Sequence, residues 1–395
     1  MKIGIVSRYP PVHCGVAEYT RFLIRGLKGA YPDLQVVVFS SREASEEPYV
    51  DEELGVKIVP SFSIREESYS MLIENIASHG KFDVIHVQHE YGIFGYRPGI
   101  VSTLIRAKEE NLAKAVVFTM HTVHHESRGE KDAVLTQALL SEVDSVIVHS
   151  VLQEFELLSQ SIEPVKIRRI PHGTLINPFL GYPKQKLAKL AGIEAEISDR
   201  DFLLVAPGFL RHDKGFDVLS EAVRGLRGVR IIVAGKRRDK SPNIQGIVSD
   251  NITLIERYLT ADEILALVAL ADAIVLPYRE KPGRYSVSGV LHLSMGSLKP
   301  IIGTRVSRLV ELYERVPRLT TLPERPEQLR ALISWVRQNY DLAVTYSSSI
   351  YSYATTTQWL HVARSHVLLY KELIGHRESS HAVLPFDRED VGEST

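Results

Sequence analysis

Residues 202–215 read Phe202-Leu-Leu-Val205-Ala-Pro-Gly208-Phe-Leu-Arg211-His-Asp-Lys214-Gly215. A short apolar run stops at Gly208, a loop carries Arg211 and Lys214, and Gly215 opens a segment with helical spacing, the order of a doubly wound sheet. Backbone N–H groups at a helix start, joined by two cations, suit a diphosphate because dipoles and positive charge converge on one anion. A glycine-bounded turn with solvated basic residues accounts for the same residues without a ligand. The loop lies at the carboxyl end of a domain's first strand, where open α/β sheets bind their ligands.

Working outward, apolar runs follow at Ile231–Val233, Ile252–Ile255, Ile274–Leu276 and Ile301–Ile302, separated by helical patterns such as Ala261–Leu270. An earlier series, Ile3–Val6, Val36–Phe39, Val56–Val59, Val84–Val87, Val116–Thr119 and Val146–Val148, alternates with helical spacing in the same way. The helix after the first run should begin just after Gly15, with Val16, Tyr19, Leu23 and Leu27 on one face. Two doubly wound parallel sheets are the economical reading. Pro171, Gly173, Pro178, Gly181 and Pro183 interrupt both periodicities and mark the joint. The expected division is residues 1–175, residues 176–350, a closing helix at 351–375, and a polar, poorly ordered tail at 376–395.

A chain of 395 residues exceeds what one core usually supports, which agrees with two domains. Lysine and arginine number 47 against 48 acidic residues, so no whole-molecule field draws nucleic acid, and any anion site is local. The single cysteine, Cys14, and the absence of a leader-like start predict a cytoplasmic protein. No apolar run approaches the ~20 residues of a spanning helix. Membrane contact would be weak and peripheral, at the inner face, through Arg21, Arg25 and Lys28, three residues that equally make an ordinary solvated face.

Neither half carries Gly-x-Gly-x-x-Gly after its first strand, which disfavours a dinucleotide cofactor. No metal is expected either. His121, His124, His125 and Glu126 lack the spacing of a zinc site, and Asp199-Arg-Asp201 reads as solvated turn charge.

The stretch Tyr285-Ser-Val-Ser-Gly-Val-Leu-His-Leu-Ser-Met-Gly-Ser-Leu-Lys-Pro300 is a loop of small residues feeding a helix. Ser286, Ser288 and Gly289 would let a phosphate approach the helix start, while an N-cap serine explains the pattern without one. His86 and His149 read as structural. His121 ends a strand on the ligand face and reads as functional, and His89, Glu90 and Tyr91 end another, where they either shape an acceptor pocket or serve the loop alone.

The ordered set Tyr-Pro-Pro-x-x-x-Gly-Val at 9–16, His-Val-Gln-His-Glu-Tyr-Gly-Ile-Phe-Gly at 86–95, Thr-Met-His-Thr-Val at 119–123, Ile-Pro-His-Gly at 170–173, Gly-x-x-Arg-x-x-Lys-Gly at 208–215, Ile-Val-Ala-Gly at 232–235, Leu-Thr-Ala-Asp-Glu-Ile at 259–264 and Lys-Pro-Ile-Ile-Gly-Thr at 299–304 resembles glycosyltransferase family 4. The resemblance implies a GT-B fold, two Rossmann-like domains facing a central cleft, with the acceptor on the first domain and a nucleotide-sugar donor on the second. It implies catalytic roles for His121, Arg211 and Lys214. Gly15, Gly208, Gly235, Leu259, Glu280, Ser286, Ser288 and Gly289 would lie along the donor. Transfer would retain configuration and need neither metal nor cofactor.

The Ser-Gly-Val-Leu variant and the His-Glu-Tyr-Gly loop look most like the mannosyltransferase branch. GDP-mannose is then the first donor to consider and UDP-glucose the next, with a saccharide, a lipid-linked saccharide or a small polyol as acceptor. The chain departs from the family where two glutamates are usual: Tyr285 and Leu293 stand there, and Glu280 would replace the first. An inactive glycan- or partner-binding protein and a sugar-nucleotide epimerase are the competing readings.

Overall fold

A computed structural model describes residues 1–193, 201–238 and 250–381, with side chains to residue 375. The first domain is an eight-stranded sheet built from β1 (Lys2–Ser7), β2 (Gln35–Ser41), β3 (Tyr49–Asp51), β4 (Val56–Phe62), β5 (Phe82–His89), β6 (Ala113–Met120), β8 (Ser145–Val148) and β9 (Ile167–Arg169); the short β7 (Thr122–His124) stands outside it. The order is β3-β4-β2-β1-β5-β6-β8-β9, and only β3 runs antiparallel to its neighbour. The second domain holds β10 (Phe202–Pro207), β11 (Val229–Ala234), β12 (Ile252–Ile255), β13 (Ala273–Leu276), β15 (Ile301–Thr304) and β16 (Thr320–Thr321), ordered β12-β11-β10-β13-β15-β16 and parallel throughout.

Strands buried on both faces explain the continuous apolar runs. Along β5, Val84 packs with Ile3, Val117 and Ile147 on one face, and Ile85 and Val87 with Val116 and Phe118 on the other. In each sheet the first strand lies between strands reached in opposite directions, β1 between β2 and β5 and β10 between β11 and β13. Their carboxyl ends are the two topological switch points, and both open toward one cleft. All eleven apolar runs of the sequence lie within strands. The strands missing from the pattern, β3, β7, β9, β14 (Arg284–Ser286) and β16, are too short for alternation to register.

The closing helix, Trp359–His381, crosses back to the first domain. Trp359, Val362, Ala363, Val367 and Tyr370 join Ile3, Tyr19, Leu23 and Leu27 in one core. Gly26 makes that approach possible, since a Cβ there would lie 2.5 Å from the Trp359 carbonyl oxygen. The closing helix spans Trp359–His381 rather than the expected 351–375, residues 351–356 being the end of the preceding helix Tyr340–Thr356. Residues 382–395 of the expected tail, and Asp199 and Arg200, lie outside the described residues. Asp201 stands 3.8 Å from Arg230.

A second join is made by β14, which pairs antiparallel with β7 and sets Tyr285 against Val123 and Ser286 against Thr122. A two-stranded ribbon thus ties the second domain to the strand end that carries His121. No helix among the described residues is long and apolar enough to cross a membrane. Arg21 is held by Asp51 (2.8 Å) and Glu53 (2.7 Å), Arg25 by Glu53 (2.5 Å), and Lys28 by the Leu34 carbonyl (3.0 Å). Arg21 and Arg25 are therefore charge-compensated, and Lys28 is anchored to the main chain.

Candidate functional site

The cleft between the domains has a volume of about 610 Å³ and is lined from both sides. From the first domain come Arg8, Gly15, Glu18, Tyr19, Glu90, Tyr91, His121 and Thr122. From the second come Gly208, Arg211, Asp213, Lys214, Gly235, Leu259, Glu280, Ser286, Ser288, Gly289 and Arg308. Glycines set the floor. Gly208 sits at φ 129° and Gly215 at φ 64°, both in the region that L side chains rarely adopt. A Cβ on Gly235 would stand 1.9 Å from the Gly208 carbonyl oxygen, and one on Gly215 2.0 Å from that of Pro277.

On this floor four cations surround one acid. Arg211 grips Asp213 through Nε (2.8 Å) and a terminal nitrogen (2.5 Å), Arg308 donates to it at 2.9 Å, and Lys281 lies at 3.3 Å. Lys214 is buried, with Nζ 3.6 Å from the centre of the Tyr278 ring. Burial opposes ionisation of Asp213, yet Arg211, Arg308 and Lys214 hold its carboxyl well below the usual range. Lys214 moves the other way: burial, then Arg308 and Arg211, push its ammonium well below the ordinary lysine value. The positive surplus leaves an anion-binding basin.

His121 faces the basin from the opposite wall. Gln88 Oε1 lies 3.0 Å from its Nε2, and Gln88 is fixed in turn by His86, which meets Thr119 and Tyr370 at 2.7 Å each. With the amide oxygen as acceptor, Nε2 carries the proton and Nδ1 is left as an acceptor. Burial, and then His149 and His89, hold the ring well below the ordinary histidine value, so it is neutral at pH 7. Among the described residues no group of three or more His, Cys, Asp or Glu is placed to hold a metal ion.

A model of "Glycosyltransferase Family 4" matches residues 14–174, and one of "Glycosyl transferases group 1" matches residues 201–339. Anabaena HepE in complex with UDP and glucose superposes with TM-score 0.73 at 14% identity, over 94% of this chain and 100% of that one. Sucrose-phosphate synthase from Thermosynechococcus elongatus gives TM-score 0.74 at 16% identity, over 95% and 100%. A glycosyltransferase from Rickettsia africae gives 0.73 at 17%, over 94% and 99%. The chain is a family 4-like glycosyltransferase of the GT-B fold. A comparison with curated proteins gives no sequence match.

Within this glycosyltransferase the residues singled out by sequence largely meet at the cleft, with three differences. His89 turns away from it: the ring is buried, stacks on Phe94 at 5.5 Å, and has no hydrogen-bond partner on either nitrogen, while Glu90 and Tyr91 line the cleft. The reason is strand alternation, which sends consecutive side chains at the end of β5 to opposite sides. Ser288 caps the helix Gly289–Met295, accepting from the Leu291 N–H at 3.3 Å, so it already has a structural duty at the cleft wall. Glu280 spends both carboxylate oxygens on Ser307, on its N–H (2.7 Å) and its hydroxyl (2.6 Å), and so shapes the turn that carries Arg308.

Arg308 and Asp213 escaped the sequence reading. Arg308 lies in the aperiodic turn after β15, and its one signal was position, just past the carboxyl end of a sheet strand. Asp213 sat inside the basic loop, where only Arg211 and Lys214 were singled out.

Proposed function

We propose that this glycosyltransferase moves a hexose from a nucleoside diphosphate sugar to an acceptor hydroxyl with retention of configuration and without a metal ion. The supporting observation is the basin in which Arg211, Lys214, Lys281 and Arg308 share the single carboxylate of Asp213. Departure of the nucleoside diphosphate builds negative charge on its terminal phosphate, and cations already fixed in place stabilise that charge without reorganisation. Residues 176–350 would hold the donor: Arg211 and Lys214 on the diphosphate, Gly208, Ser286, Ser288 and Gly289 beside it, and Gly235 and Leu259 toward the nucleoside.

Residues 1–175 would present the acceptor between Glu90 and Tyr91, with Gly15 admitting the donor's approach. His121, neutral and fixed by Gln88, offers Nδ1 to a hydroxyl of the transferred sugar. In retaining transfer the acceptor oxygen bonds to the anomeric carbon from the leaving-group face. The bond to the diphosphate oxygen breaks, and that oxygen takes the acceptor's proton, so no protein nucleophile is required.

Mannose follows from the sequence resemblance, and GDP-mannose heads the donors to test; likeness to HepE, whose structure holds UDP and glucose, brings UDP-glucose level with it. A saccharide, lipid-linked saccharide or polyol is the acceptor class. Cys14, unpaired, suits the reducing cytoplasm. Peripheral membrane contact draws no support from Arg21, Arg25 and Lys28, which Asp51, Glu53 and the Leu34 carbonyl occupy.

The test is release of GDP, UDP or ADP from a panel of donors, beside an Arg211→Ala, Lys214→Ala double variant. Release from one donor, reduced by about a hundredfold or more in the variant, is the expected result. Failure of every nucleoside diphosphate to bind would overturn the reading.

A further inference from the structure

In the second sheet, ordered β12-β11-β10-β13-β15-β16, the cations around Asp213 follow neighbouring strands: Arg211 and Lys214 come after β10, Lys281 after β13 and Arg308 after β15. A diphosphate held there leaves the ends of β11 and β12 for the nucleoside. Gly235 follows β11, and Tyr258 and Leu259 follow β12, all three lining the cleft. A ribose offers two neighbouring hydroxyl donors, and a carboxylate is the side chain that takes them in doubly wound folds.

Among the described residues lining the cleft, four are acids: Glu18, Glu90, Asp213 and Glu280. Three are placed or occupied otherwise. Asp213 is gripped by Arg211, Arg308 and Lys281. Glu280 gives both oxygens to Ser307. Glu90 accepts from Thr122 at 2.8 Å, and Thr122 pairs with Ser286 in the ribbon, whose β14 strand follows β13 rather than β12.

Glu18 remains. It belongs to the first domain's helix α1 (Gly15–Ala30), whose Gly15, Glu18, Tyr19 and Phe22 line the cleft from one helical face. An acid in a first turn favours the helix dipole wherever it points, but this one reaches across to the second domain. Its Oε1 accepts the Tyr258 hydroxyl at 3.0 Å, which fixes the carboxylate beside the end of β12. Oε2 has no hydrogen-bond partner among the described residues. A Cβ placed on Gly15, one turn away, would meet nothing within 4 Å, so the approach is open.

We infer that Glu18 receives the ribose hydroxyls of the donor, so that the first domain as well as the second holds the nucleoside. The inference rests on the proposed donor site and names a further specificity residue for it. Ribose and Tyr258 then meet on one carboxylate, and a ligand gripped from both domains favours their closed arrangement.

The test compares, by calorimetry, whichever of GDP, UDP or ADP binds with its 2′-deoxy and 3′-deoxy forms. At least one deoxy form should bind about ten- to a hundredfold more weakly, the range for a hydrogen bond to a charged group. In Glu18→Gln that penalty should shrink about fivefold, because a neutral amide oxygen accepts more weakly, and in Glu18→Ala it should vanish. Tyr258→Phe breaks the tie between the domains but leaves the carboxylate, and should keep the penalty.

No penalty in the wild type, an unchanged penalty in Glu18→Ala, or its loss in Tyr258→Phe overturns the inference while leaving the donor site standing. A protein that binds no nucleoside diphosphate loses both readings together.

Discussion

The imidazole of His13, in the first domain's loop, lies parallel to the ring of Tyr258 in the second, with centroids 3.9 Å apart and planes 6° from coplanar. Two further ties reinforce the stack: Tyr258 donates its hydroxyl to Glu18 at 3.0 Å, and Arg238 donates to the His13 carbonyl. Together they bridge the domains beside Leu259, and the β7–β14 ribbon bridges them a second time. An aromatic pair of this kind contributes about 1 kcal/mol. His13→Ala should therefore shift the equilibrium toward an open form about fivefold. Small-angle scattering should show a larger radius of gyration for the unliganded variant, returning to the wild-type value with nucleoside diphosphate bound. Identical radii without ligand would mean that the remaining ties, Tyr258 to Glu18, Arg238 to the residue 13 carbonyl and the ribbon, set the closure without the stack.

Lys214 should not tolerate its usual conservative replacement. Its ammonium lies over the Tyr278 face with 6% of the residue exposed, and a planar guanidinium needs more room and a different fork geometry. Lys214→Arg is expected to lower kcat at saturating donor by about 10²–10³, close to Lys214→Met, as when a preorganised charge is lost from a transition state. A variant with near wild-type kcat and a raised KM would show that Lys214 serves ground-state binding only.

The sheets were legible because strands buried on both faces write unbroken apolar runs, and all eleven runs lie in strands. The residues at the ends of β1 and β10 were legible for a related reason: topology places ligands at those ends whatever the loop sequence. Arg308 was not legible, because its role depends on β15 lying beside β13 and on Glu280 fixing the Ser307 turn, contacts between segments far apart in sequence. His89 was misplaced by one residue's alternation, which a sequence carries only if the strand's register is known.

Gly215 and Gly15 make a stability prediction separable from activity. Gly215 is left-handed and would bring a Cβ to 2.0 Å from a main-chain oxygen, so strain and clash add. Gly215→Ala should cost about 1–3 kcal/mol, the range for a residue forced into such a conformation. Gly15, whose Cβ would meet nothing within 4 Å, should accept alanine with little loss of stability. Urea unfolding of the two variants checks the contrast, and equal midpoints would contradict it.

Glu311 gives the fold a pH dependence of unusual sign. Its carboxylate oxygens are buried without a hydrogen-bond partner, and burial pushes the group up to about 7. The nearest imidazole nitrogen, His292 Nε2, is 3.8 Å away, and burial holds His292 down at about 4, so that ring stays neutral and cannot offset the charge. A carboxyl raised in the folded state binds more protons there than in the unfolded chain between pH 4.5 and 7, so its contribution is present below that window and is lost as pH rises through it.

His149, His292 and His366, each lowered to about 4, act oppositely, because the unfolded chain binds more protons between pH 6.5 and 4 and stability therefore rises with pH there. Glu311→Gln removes only the first contribution. It should stabilise the protein by about 2–3 kcal/mol at pH 8, by nothing at pH 4, and should steepen the rise in stability between them. Urea unfolding at pH 5, 6, 7 and 8 measures this directly. A gain independent of pH would instead assign the effect to packing around the side chain.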